Sequence, residues 1–379
     1  MVCTFVHNKC MHTDFTFAPA TRTERLARPL RAALQHPWVA AIVRESALED
    51  TLQALHPLLS LKDVRARVVK RIAETADTLT LVLRPNALWR GARAGQFVGV
   101  TVEINGRRHQ RMYSLTSRPS SRLIAITVQR QGLVSAHLHD HKAVGTVLTL
   151  SPAMGEFVLP QEPPPKLLLI GAGSGITPVM ALLRELQASC YLGSVALLHL
   201  CRSPAEQIFA AELRSLQADL PGFRYVSHYS ASQGRFDPRA LASLLSDVTE
   251  RAAWVCGPAA LIDAVQAFWR SAGLSTALHS ERFGAAPRVV VPLSQAVSVA
   301  LVRGGQEFES LGTASLLDQA EAAGLAPKHG CRIGICRSCQ CIKRSGTVQH
   351  LHTGELSSAP NELIRLCVSA ARTDLSLEL

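Results

Sequence analysis

The hydrophobic and polar positions of the chain follow three different rhythms, one after another. Between residues 63 and 160, short apolar runs alternate with polar positions and turn residues, which predicts antiparallel strands closed into a barrel. From residue 166 to 284, buried apolar runs alternate with helical segments, and strands are predicted at 167–170, 195–200, 223–228 and 252–256. That rhythm predicts a parallel α/β sheet. Residues 288–379 contain short strands, one helix near 314–322 and a cysteine-rich loop.

The segment before the barrel has a helical pattern of its own. Leucines recur at helical spacing between residues 26 and 59, interrupted by Pro29, Pro37 and Pro57. We expect an amphipathic arm that packs onto the following domain, and a helix that binds a membrane surface or a partner is the alternative. The predicted segments are a helical arm (1–62), a β-barrel (63–162), an α/β domain (163–284) that begins with a stiff proline run, and a C-terminal β domain (285–379).

The net charge of +11 is concentrated in the first part of the chain. Residues 1–160 hold 21 Lys/Arg against 11 Asp/Glu, residues 161–284 hold 10 against 10, and residues 285–379 hold 9 against 8. No nucleic-acid recognition motif accompanies this basic excess, so we expect no nucleic-acid partner. The positive charge would equally attract phosphate-bearing cofactors or an anionic membrane surface.

The sequence also bears on the compartment. No apolar run is long enough to span a membrane, and the first 30 residues lack the apolar core of a signal peptide. We therefore expect a cytoplasmic protein, with the inner face of the membrane as a site of peripheral contact. In a reducing compartment, the ten cysteines indicate a metal site plus core residues rather than a disulfide framework.

Four of the cysteines have the spacing of an iron–sulfur site. Cys331, Cys336 and Cys339 read C-x4-C-x2-C, and Cys367 follows after 27 intervening residues. This is the spacing of plant-type [2Fe–2S] ferredoxins. A non-enzymatic zinc-binding protein is the rival interpretation, but zinc sites with four cysteines normally consist of two C-x2-C pairs. The spacing therefore favours a redox cluster.

A guanidinium, an aromatic ring and a hydroxyl lie within four residues on a predicted barrel strand, at Arg111, Tyr113 and Ser114. Strand alternation puts Arg111 and Tyr113 on one face. There the guanidinium can pair with a phosphate and the ring can stack on an isoalloxazine. Ser114 can hydrogen-bond the reactive ring nitrogen. Taken alone, the motif also fits an ordinary surface strand.

Two glycine-containing turns precede predicted helices. Gly132-Leu133-Val134-Ser135 opens a helix over 134–141, and a helix N-terminus with a capping serine binds a pyrophosphate, which favours FAD over FMN. Gly171-Ala172-Gly173-Ser174-Gly175-Ile176-Thr177-Pro178 lies between a buried strand and a helix, where glycines let the backbone approach a dinucleotide phosphate. It departs from the G-x-G-x-x-G fingerprint. An ordinary helix cap and tight strand–helix packing are the respective alternatives.

In this order, the motifs resemble those of the ferredoxin–NADP⁺ reductase superfamily with a plant-type ferredoxin fused at the C-terminus. The resemblance covers residues 63–379. It implies a flavin-binding antiparallel barrel, a parallel α/β nucleotide-binding domain and a β-grasp ferredoxin domain. It also implies an oxidoreductase in which electrons pass from a nicotinamide nucleotide to FAD and then to a [2Fe–2S] cluster.

The resemblance assigns roles to individual residues. It implies catalytic roles beside the flavin and nicotinamide for Tyr113, Ser114 and Cys256. Flavin-binding positions are implied at Arg111, Tyr113, Ser114, Val128, Gly132, Val134 and Ser135. Nucleotide-binding positions are implied at Gly171, Gly173, Gly175, Thr177 and Pro178, in the turn Cys256-Gly257-Pro258, and at Phe283 in the segment Glu281-Arg282-Phe283. The cluster ligands are implied to be Cys331, Cys336, Cys339 and Cys367.

The coenzyme is read from the residues after the second strand of the nucleotide-binding domain. Arg202 and Ser203 occupy the position that faces the adenosine ribose in the family, and Arg235 can assist. A cation and a hydroxyl suit a 2′-phosphate, whereas an acidic residue would suit a free 2′-hydroxyl. We therefore expect NADPH rather than NADH, with solvated loop arginines as the alternative.

The electron acceptor is inferred from short segments that resemble segments of known reductases. The segments 56–60, 83–86, 330–341, 346–348 and 354–355 resemble the reductases of membrane acyl-CoA (stearoyl-type) desaturases. This predicts electron delivery to a membrane di-iron fatty-acyl desaturase. The alternative of the same class is the reductase of a soluble oxygenase, of the phenylacetyl-CoA or ring-hydroxylating type, because such reductases share the architecture.

Overall fold

The structure of the protein is a computed structural model. It describes residues 45–379 apart from 221, 275–277, 284–290, 331, 333 and 335–336. The predicted arm therefore lies largely outside the described residues. The same holds for two of the four predicted cluster ligands, Cys331 and Cys336.

The described end of the arm is a helix followed by a short segment that is hydrogen-bonded to the barrel. Helix α1 (Glu45–Leu55) carries the buried carboxylate of Glu49, which accepts a hydrogen bond of 2.9 Å from the N–H of Leu61. Asn86, on the barrel side, donates 3.1 Å to the carbonyl of Leu58. The hydrogen bond from Asn86 ties the end of the arm to the barrel, and the packing of the leucine-bearing helix onto that domain stays a prediction.

Six antiparallel strands form the first sheet, in the order β4-β3-β6-β1-β2-β5. Every second residue at the start of β1 is buried, because one face of the sheet lines a core of Val, Leu and Ile side chains. Leu115, just after β4, bridges to Ile126 in β5 and brings the two edges of the sheet together. The predicted antiparallel barrel is confirmed. Its elements are β1 (Val64–Ala73), β2 (Thr78–Pro85), β3 (Phe97–Ile104), β4 (Arg107–Ser114), β5 (Ile124–Gln129), α2 (Leu133–His141) and β6 (Val147–Leu150).

Five parallel strands form the second sheet, in the order β11-β10-β7-β8-β9. Strand β7 is central, and β8 and β10 leave it on opposite sides. Ligands of such sheets bind at this switch point, beyond the carboxyl ends of the strands. The predicted parallel α/β sheet is confirmed, and β11 is an addition to it. The elements are β7 (Lys166–Ala172), α3 (Ile176–Ala188), β8 (Ser194–Cys201), α4 (Ala210–Asp219), β9 (Phe223–Tyr229), α5 (Ser230–Gln233), α6 (Leu241–Leu244), β10 (Ala252–Gly257), α7 (Ala259–Ser271) and β11 (Leu278–Arg282).

The C-terminal domain packs one helix against two small sheets. The larger sheet is mixed, in the order β13-β12-β19-β14-β17, and the smaller has the order β16-β15-β18. The fold agrees with the predicted ferredoxin domain. Its elements are β12 (Val297–Leu301), β13 (Gln306–Ser310), α8 (Leu316–Ala322), β14 (Gln340–Ser345), β15 (Val348–His350), β16 (Leu356–Ser357), β17 (Glu362–Arg365), β18 (Ser369–Ala371) and β19 (Leu375–Leu377).

Candidate active site

A cavity of about 1110 Å³ lies between the barrel and the parallel sheet. Strand β4 and the start of α2 form its barrel side, and the loops after β7, β8 and β10 form its other side. Drug-sized ligands occupy pockets of about 300–1,000 Å³. The size of this cavity therefore suits more than one bound group.

The barrel wall of the cavity contains the motif on β4. Arg111, Tyr113 and Ser114 all line it. Burial raises the pKa of the Tyr113 phenol well above its usual value, so the ring is neutral and suited to stacking. Ser114 is buried, and its Oγ has no hydrogen-bond partner in the part of the chain that the structure describes. A buried hydroxyl without a partner in the wall of a cavity is available to form a hydrogen bond with a bound ligand.

Helix α2 begins one residue earlier than predicted, and its first turn also lines the cavity. Gly132 is the extended N-cap residue, with a φ of −173°. Ser135 is therefore the third helical residue rather than the cap. Its Oγ accepts hydrogen bonds of 2.9 Å from the N–H groups of Gln131 and Gly132. This bracing fixes the turn, and the remaining N–H groups of a first helical turn are a ready anion site.

The glycine-rich turn after β7 serves packing and binding at different positions. A Cβ on Gly175 would lie 2.3 Å from the carbonyl oxygen of Cys256, and a Cβ on Gly171 would lie 2.9 Å from Ile176. Neither glycine lines the cavity, whereas Gly173, with a φ of +54°, and Thr177 do. Gly171 and Gly175 thus allow the strand, turn and helix to pack closely, and Gly173 presents backbone to the cavity.

Glu281 is a site residue that the sequence reasoning missed. Its strand β11 pairs in parallel with β10, and the register sets Cys256 opposite Glu281. The carboxyl group lines the cavity, Oε2 is buried without a hydrogen-bond partner among the described residues, and burial raises its pKa to about 7. The available signal was an acidic residue two positions before Phe283. The Cys256 thiol is fully buried and does not line the cavity, and its pKa is raised by burial and then by Glu281.

Beyond the ends of β8 and β9, the cavity is lined by charged groups of both signs. The exposed guanidinium groups of Arg202 and Arg235 line it, together with the carboxylate of Glu206. Ser203 does not line the cavity, and its Oγ is 3.4 Å from Glu206 Oε1. Glu206 and His228 are lining residues that the motif reading did not single out. A binding site for a phosphate here would rest on the two arginines.

The predicted cofactor residues fall into two groups by their position relative to the cavity. Those that line the cavity are Arg111, Tyr113, Ser114, Gly132, Val134, Ser135, Gly173, Thr177, Arg202, Arg235, Gly257, Pro258 and Phe283. Those that lie behind its wall are Val128, Gly171, Gly175, Pro178, Ser203 and Cys256. Val128 belongs to the core of the barrel. The individual binding roles of both groups stay predictions.

A second candidate site lies in the C-terminal domain, where two cysteine sulfur atoms meet. Cys339 and Cys367 are buried, and their Sγ atoms are 3.2 Å apart. Cys339 directly precedes β14, and Cys367 follows β17, its antiparallel neighbour in the sheet. Paired cysteine sulfurs at one end of a strand pair fit the donor set of an iron–sulfur cluster. Their predicted co-ligands, Cys331 and Cys336, are among the residues the structure does not describe.

Comparison with known proteins agrees with this arrangement. The family described as "Oxidoreductase NAD-binding domain" matches residues 169–267, and the family described as "2Fe-2S iron-sulfur cluster binding domain" matches residues 301–372. An NADPH oxidoreductase of Mycobacterium tuberculosis is 36% identical over 340 residues, which are 87% of this chain and 88% of that protein. The glycine betaine monooxygenase reductase subunit of Chromohalobacter salexigens is 27% identical over 82% of this chain and 94% of that protein.

Among solved structures, phthalate dioxygenase reductase has a similar fold. Its TM-score is 0.61 at 26% sequence identity, and the match covers 84% of this chain and 98% of that chain. That protein is described as a modular structure for electron transfer from pyridine nucleotides to [2Fe–2S].

Fold and site together define an oxidoreductase that moves electrons from a nicotinamide nucleotide through a flavin to an iron–sulfur cluster. The chain belongs to the ferredoxin-reductase-type family whose members join an NAD-binding domain to a C-terminal [2Fe–2S] ferredoxin domain. FAD, NAD(P)H and a [2Fe–2S] cluster are the cofactors of this arrangement. The residues present fit them: the orphaned Ser114 hydroxyl and the first turn of α2 suit the flavin, and the Cys339–Cys367 pair suits the cluster.

Within the ranges that the structure covers, no helix combines the length and the apolar character needed to cross a membrane.

Proposed function

We propose that this chain is the reductase component of an oxygenase and that it draws its electrons from NADPH. The observation that carries the proposal is the shared cavity, in which the flavin motif on β4 and the nucleotide turn after β7 face one space. Bound FAD supplies the capacity to take up a hydride and to release its two electrons singly. The flavin can therefore link a two-electron donor, the nicotinamide nucleotide, to a one-electron acceptor, the [2Fe–2S] cluster.

The described residues have distinct tasks in this reaction. Tyr113 offers its neutral ring for stacking, and the orphaned Ser114 hydroxyl offers a hydrogen bond to the reactive edge of the flavin. Glu281 lies on the nucleotide side of the same cavity, where its carboxyl group can hold or release a proton near neutral pH. The Cys256 side chain does not line the cavity, and its role is in packing, because its backbone carbonyl lies against Gly175 in the glycine-rich turn.

The preference for NADPH rests on Arg202 and Arg235. Two exposed guanidinium groups at the outer end of the cavity can pair with a 2′-phosphate. Glu206 opposes this preference, because a carboxylate repels that phosphate and suits a free ribose hydroxyl. The two cations outnumber the single acid, and an NADPH oxidoreductase stands among the relatives.

The names of several relatives support an oxygenase as the electron acceptor. These relatives are reductase subunits of glycine betaine monooxygenase and the reductase component of 3-ketosteroid-9-alpha-monooxygenase, the latter from Mycobacterium tuberculosis and 35% identical over 63% of this chain. The sequence reading put a membrane fatty-acyl desaturase first and a soluble oxygenase second. The relatives favour the second.

The membrane desaturase is a finer candidate that rests on the sequence likenesses. The segment 56–60 is among them, and it lies where the arm joins the barrel. Such an acceptor would require the protein to work at a membrane surface, and the arm is the segment we would assign to that contact. Residues 1–44 of the arm lie outside the described part of the structure.

An anaerobic titration with NADPH and, separately, with NADH tests the electron path. Flavin absorbance and the low-temperature EPR signal of a reduced [2Fe–2S] centre are followed together. We expect NADPH to bleach the flavin and to raise the cluster signal at lower concentrations than NADH does. A colourless, EPR-silent protein that contains zinc would overturn the proposal in favour of a binding protein.

Reconstitution tests the acceptor. The reductase is combined either with a purified glycine betaine monooxygenase oxygenase subunit or with a stearoyl-type desaturase in phospholipid vesicles, and product formed per NADPH oxidised is measured. We expect coupled turnover with the oxygenase. Turnover only with the desaturase would replace the oxygenase proposal by the finer candidate, and rapid reduction of cytochrome c with no turnover in either arm would remove both acceptors.

A further inference from the structure

The charges of the C-terminal domain are segregated along the sequence. From residue 322 to residue 354 there are five Lys/Arg and no Asp/Glu, and this stretch contains three of the four predicted cluster cysteines. Residues 291–321 hold one Lys/Arg against four Asp/Glu, and residues 355–379 hold two against four. The domain is therefore close to neutral as a whole but basic around its cluster.

Two of these cations are free to act on a partner. Lys328 and Arg337 are exposed, and neither forms an ion pair with another residue in the described ranges. Arg332 differs, because its guanidinium is paired with Glu321 at 2.9 Å. Lys328 and Arg337 flank the cysteine loop from either side, at three residues before Cys331 and two before Cys339.

An exposed apolar side chain lies on the outer face of the β14–β17 strand pair, on the same face as Arg365. In the register, Gln340 is opposite Arg365 and Ile342 is opposite Leu363, so these four side chains share one face. The residues on the alternate face, Cys341 and Ile364, are buried. Leu363 is 64% exposed and lies on an edge strand that ends two residues before Cys367. Leu363 therefore offers an apolar contact at the end of the domain where Cys339 and Cys367 lie.

Arg365 connects this face to the cysteine loop. Its guanidinium donates a hydrogen bond to the carbonyl oxygen of Gly334. Because a carbonyl does not neutralise the cation, Arg365 keeps its charge while it fixes the loop. Lys328, Arg337, Arg365 and Leu363 together are named the cluster-end surface. Specific protein–protein interfaces usually have an apolar centre surrounded by polar and charged residues.

The barrel of the same chain is a poor electrostatic match for this surface. Residues 63–160 hold 14 Lys/Arg against 6 Asp/Glu, a net charge of +8. Like charges repel over about one Debye length, roughly 8–10 Å at physiological salt. Delivery of electrons from the barrel relies on the covalent tether, which supplies a high effective concentration without charge attraction. The basic charges around the cluster therefore point to a partner outside the chain.

We propose that the electron acceptor docks on the cluster-end surface through an acidic patch that surrounds an apolar contact for Leu363. This inference rests on the proposed function, since it names the chemistry of the acceptor of the same relay. Lys328, Arg337 and Arg365 steer the acidic face towards the cluster, and Leu363 fixes the docked position. The sign of the charge on the acceptor decides whether it is reduced efficiently.

The test uses one haem protein in two forms whose surfaces have opposite net charge. Native horse cytochrome c is basic, and its succinylated form is acidic while the haem is the same. Reduction of each by NADPH and the holoenzyme is measured from low to high ionic strength. We expect the succinylated form to be reduced about tenfold faster at low salt, with the difference lost at high salt, since electrostatic steering changes association rates by about 10–10³.

Charge reversal provides the matched comparison. The Lys328→Glu/Arg337→Glu variant should reverse the preference between the two cytochromes. The control Arg224→Glu/Arg270→Glu changes two exposed arginines of the nucleotide-binding domain by the same net charge, and it should keep the preference. A second variant, Leu363→Ser, should slow both cytochromes at high salt, where steering is absent.

Three outcomes are distinguishable. A faster reaction of native cytochrome c in the unaltered enzyme would overturn the inference, and so would equal effects of the two double variants. Failure of both cytochromes to be reduced, with no cluster EPR signal on addition of NADPH, would instead overturn the proposed function. Ferricyanide reduction, which draws on the flavin, should be unchanged in all variants and shows that each is folded.

Discussion

The Sγ atoms of Cys339 and Cys367 lie 3.2 Å apart in the interior of the C-terminal domain. Two thiolates this close would repel strongly, so their ionised forms require a shared cation such as cluster iron. Burial raises the pKa of the neighbouring Cys341 to about 12, with Cys339 as a further cause. Cys341 is not among the four predicted cluster ligands, so the two kinds of cysteine should differ sharply on substitution.

We expect Cys367→Ser to abolish the [2Fe–2S] signal and the reduction of cytochrome c, while ferricyanide reduction through the flavin remains. Cys336→Ser should behave in the same way. Cys341→Ser is the matched control and should retain the cluster, because serine is close in size and no ligand is lost. Iron content, visible absorbance and EPR are measured for all three. A cluster lost from the Cys341 variant but kept in the Cys367 variant would contradict the ligand assignment.

Lys343 is a fully buried cation in the same domain. Its Nζ donates to the carbonyl oxygens of Gly346, Ser357 and Ala359 at 2.9, 3.3 and 2.7 Å, and Glu362 Oε2 is 3.6 Å away. It therefore joins β14 to the β14–β15 turn, to the end of β16 and to the segment that follows β16. Three carbonyls would lose the hydrogen bond from the ammonium if it were removed, and the Glu362 carboxylate would lose a neighbouring positive charge.

We expect Lys343→Met to destabilise the domain by about 3 kcal/mol, the size of effect seen when one member of a buried charged pair is removed. Loss of cluster absorbance on heating reports this unfolding. Lys328→Met, at an exposed position of the same domain, is the control and should leave the melting temperature unchanged. Equal melting of the two variants would show that the buried hydrogen bonds contribute nothing to stability.

The pKa of Glu281 leads to a prediction for stability. Burial raises that pKa from 4.5 to about 7, so between these values the folded protein binds more protons than the unfolded chain. Stability from this group is fully present below pH 4.5 and is lost as the pH rises through 7. Glu281→Gln mimics the protonated acid and should remove this contribution to the pH dependence.

Thermal unfolding, followed by flavin fluorescence, checks the Glu281 prediction at several pH values. We expect the variant and the unaltered protein to melt together near pH 5 and the variant to melt at the higher temperature near pH 8. Glu162→Gln, at an exposed position of the linker, should show no such divergence. A constant difference across the whole range would mean that the carboxyl does not titrate differently in the folded state.

The order of domains could be predicted from the sequence because strand alternation and buried apolar runs are local signals. The Gly171–Pro178 turn was found for the same reason. Glu281 was missed because its role depends on a parallel pairing with Cys256, which joins residues from distant parts of the chain. Val128 and Cys256 were assigned by resemblance, and both side chains lie behind the cavity wall. Sequence position gives the neighbourhood of a residue, whereas the direction of its side chain depends on packing.

Coenzyme selectivity should depend on Arg202 and Arg235, which both line the outer end of the cavity. A hydrogen bond to a charged group contributes about 1.5–3 kcal/mol, so each arginine is worth about tenfold or more in binding. We expect Arg202→Ala/Arg235→Ala to lower kcat/KM for NADPH by about 100-fold and to leave that for NADH unchanged. Arg224→Ala is the exposed control, and steady-state ferricyanide reduction with both coenzymes is the measurement. An equal loss with NADH would assign the arginines to the diphosphate instead of the 2′-phosphate.

Gly175, in the nucleotide-binding turn, packs directly against the backbone of Cys256 in β10. A methyl group on Gly175 would lie 2.3 Å from the carbonyl oxygen of Cys256, inside van der Waals contact, so the turn and β10 must separate in Gly175→Ala. Gly273→Ala is the matched control, because Gly273 does not line the cavity, a Cβ there meets nothing within 4 Å and its φ of +71° costs only about 1–2 kcal/mol. We expect Gly175→Ala to lose NADPH binding and flavin reduction while FAD stays bound to the barrel, and Gly273→Ala to retain both. Calorimetric NADPH binding and flavin content separate the two effects, and a Gly175 variant that binds NADPH as tightly as the unaltered protein would show that the turn can move without loss of the site.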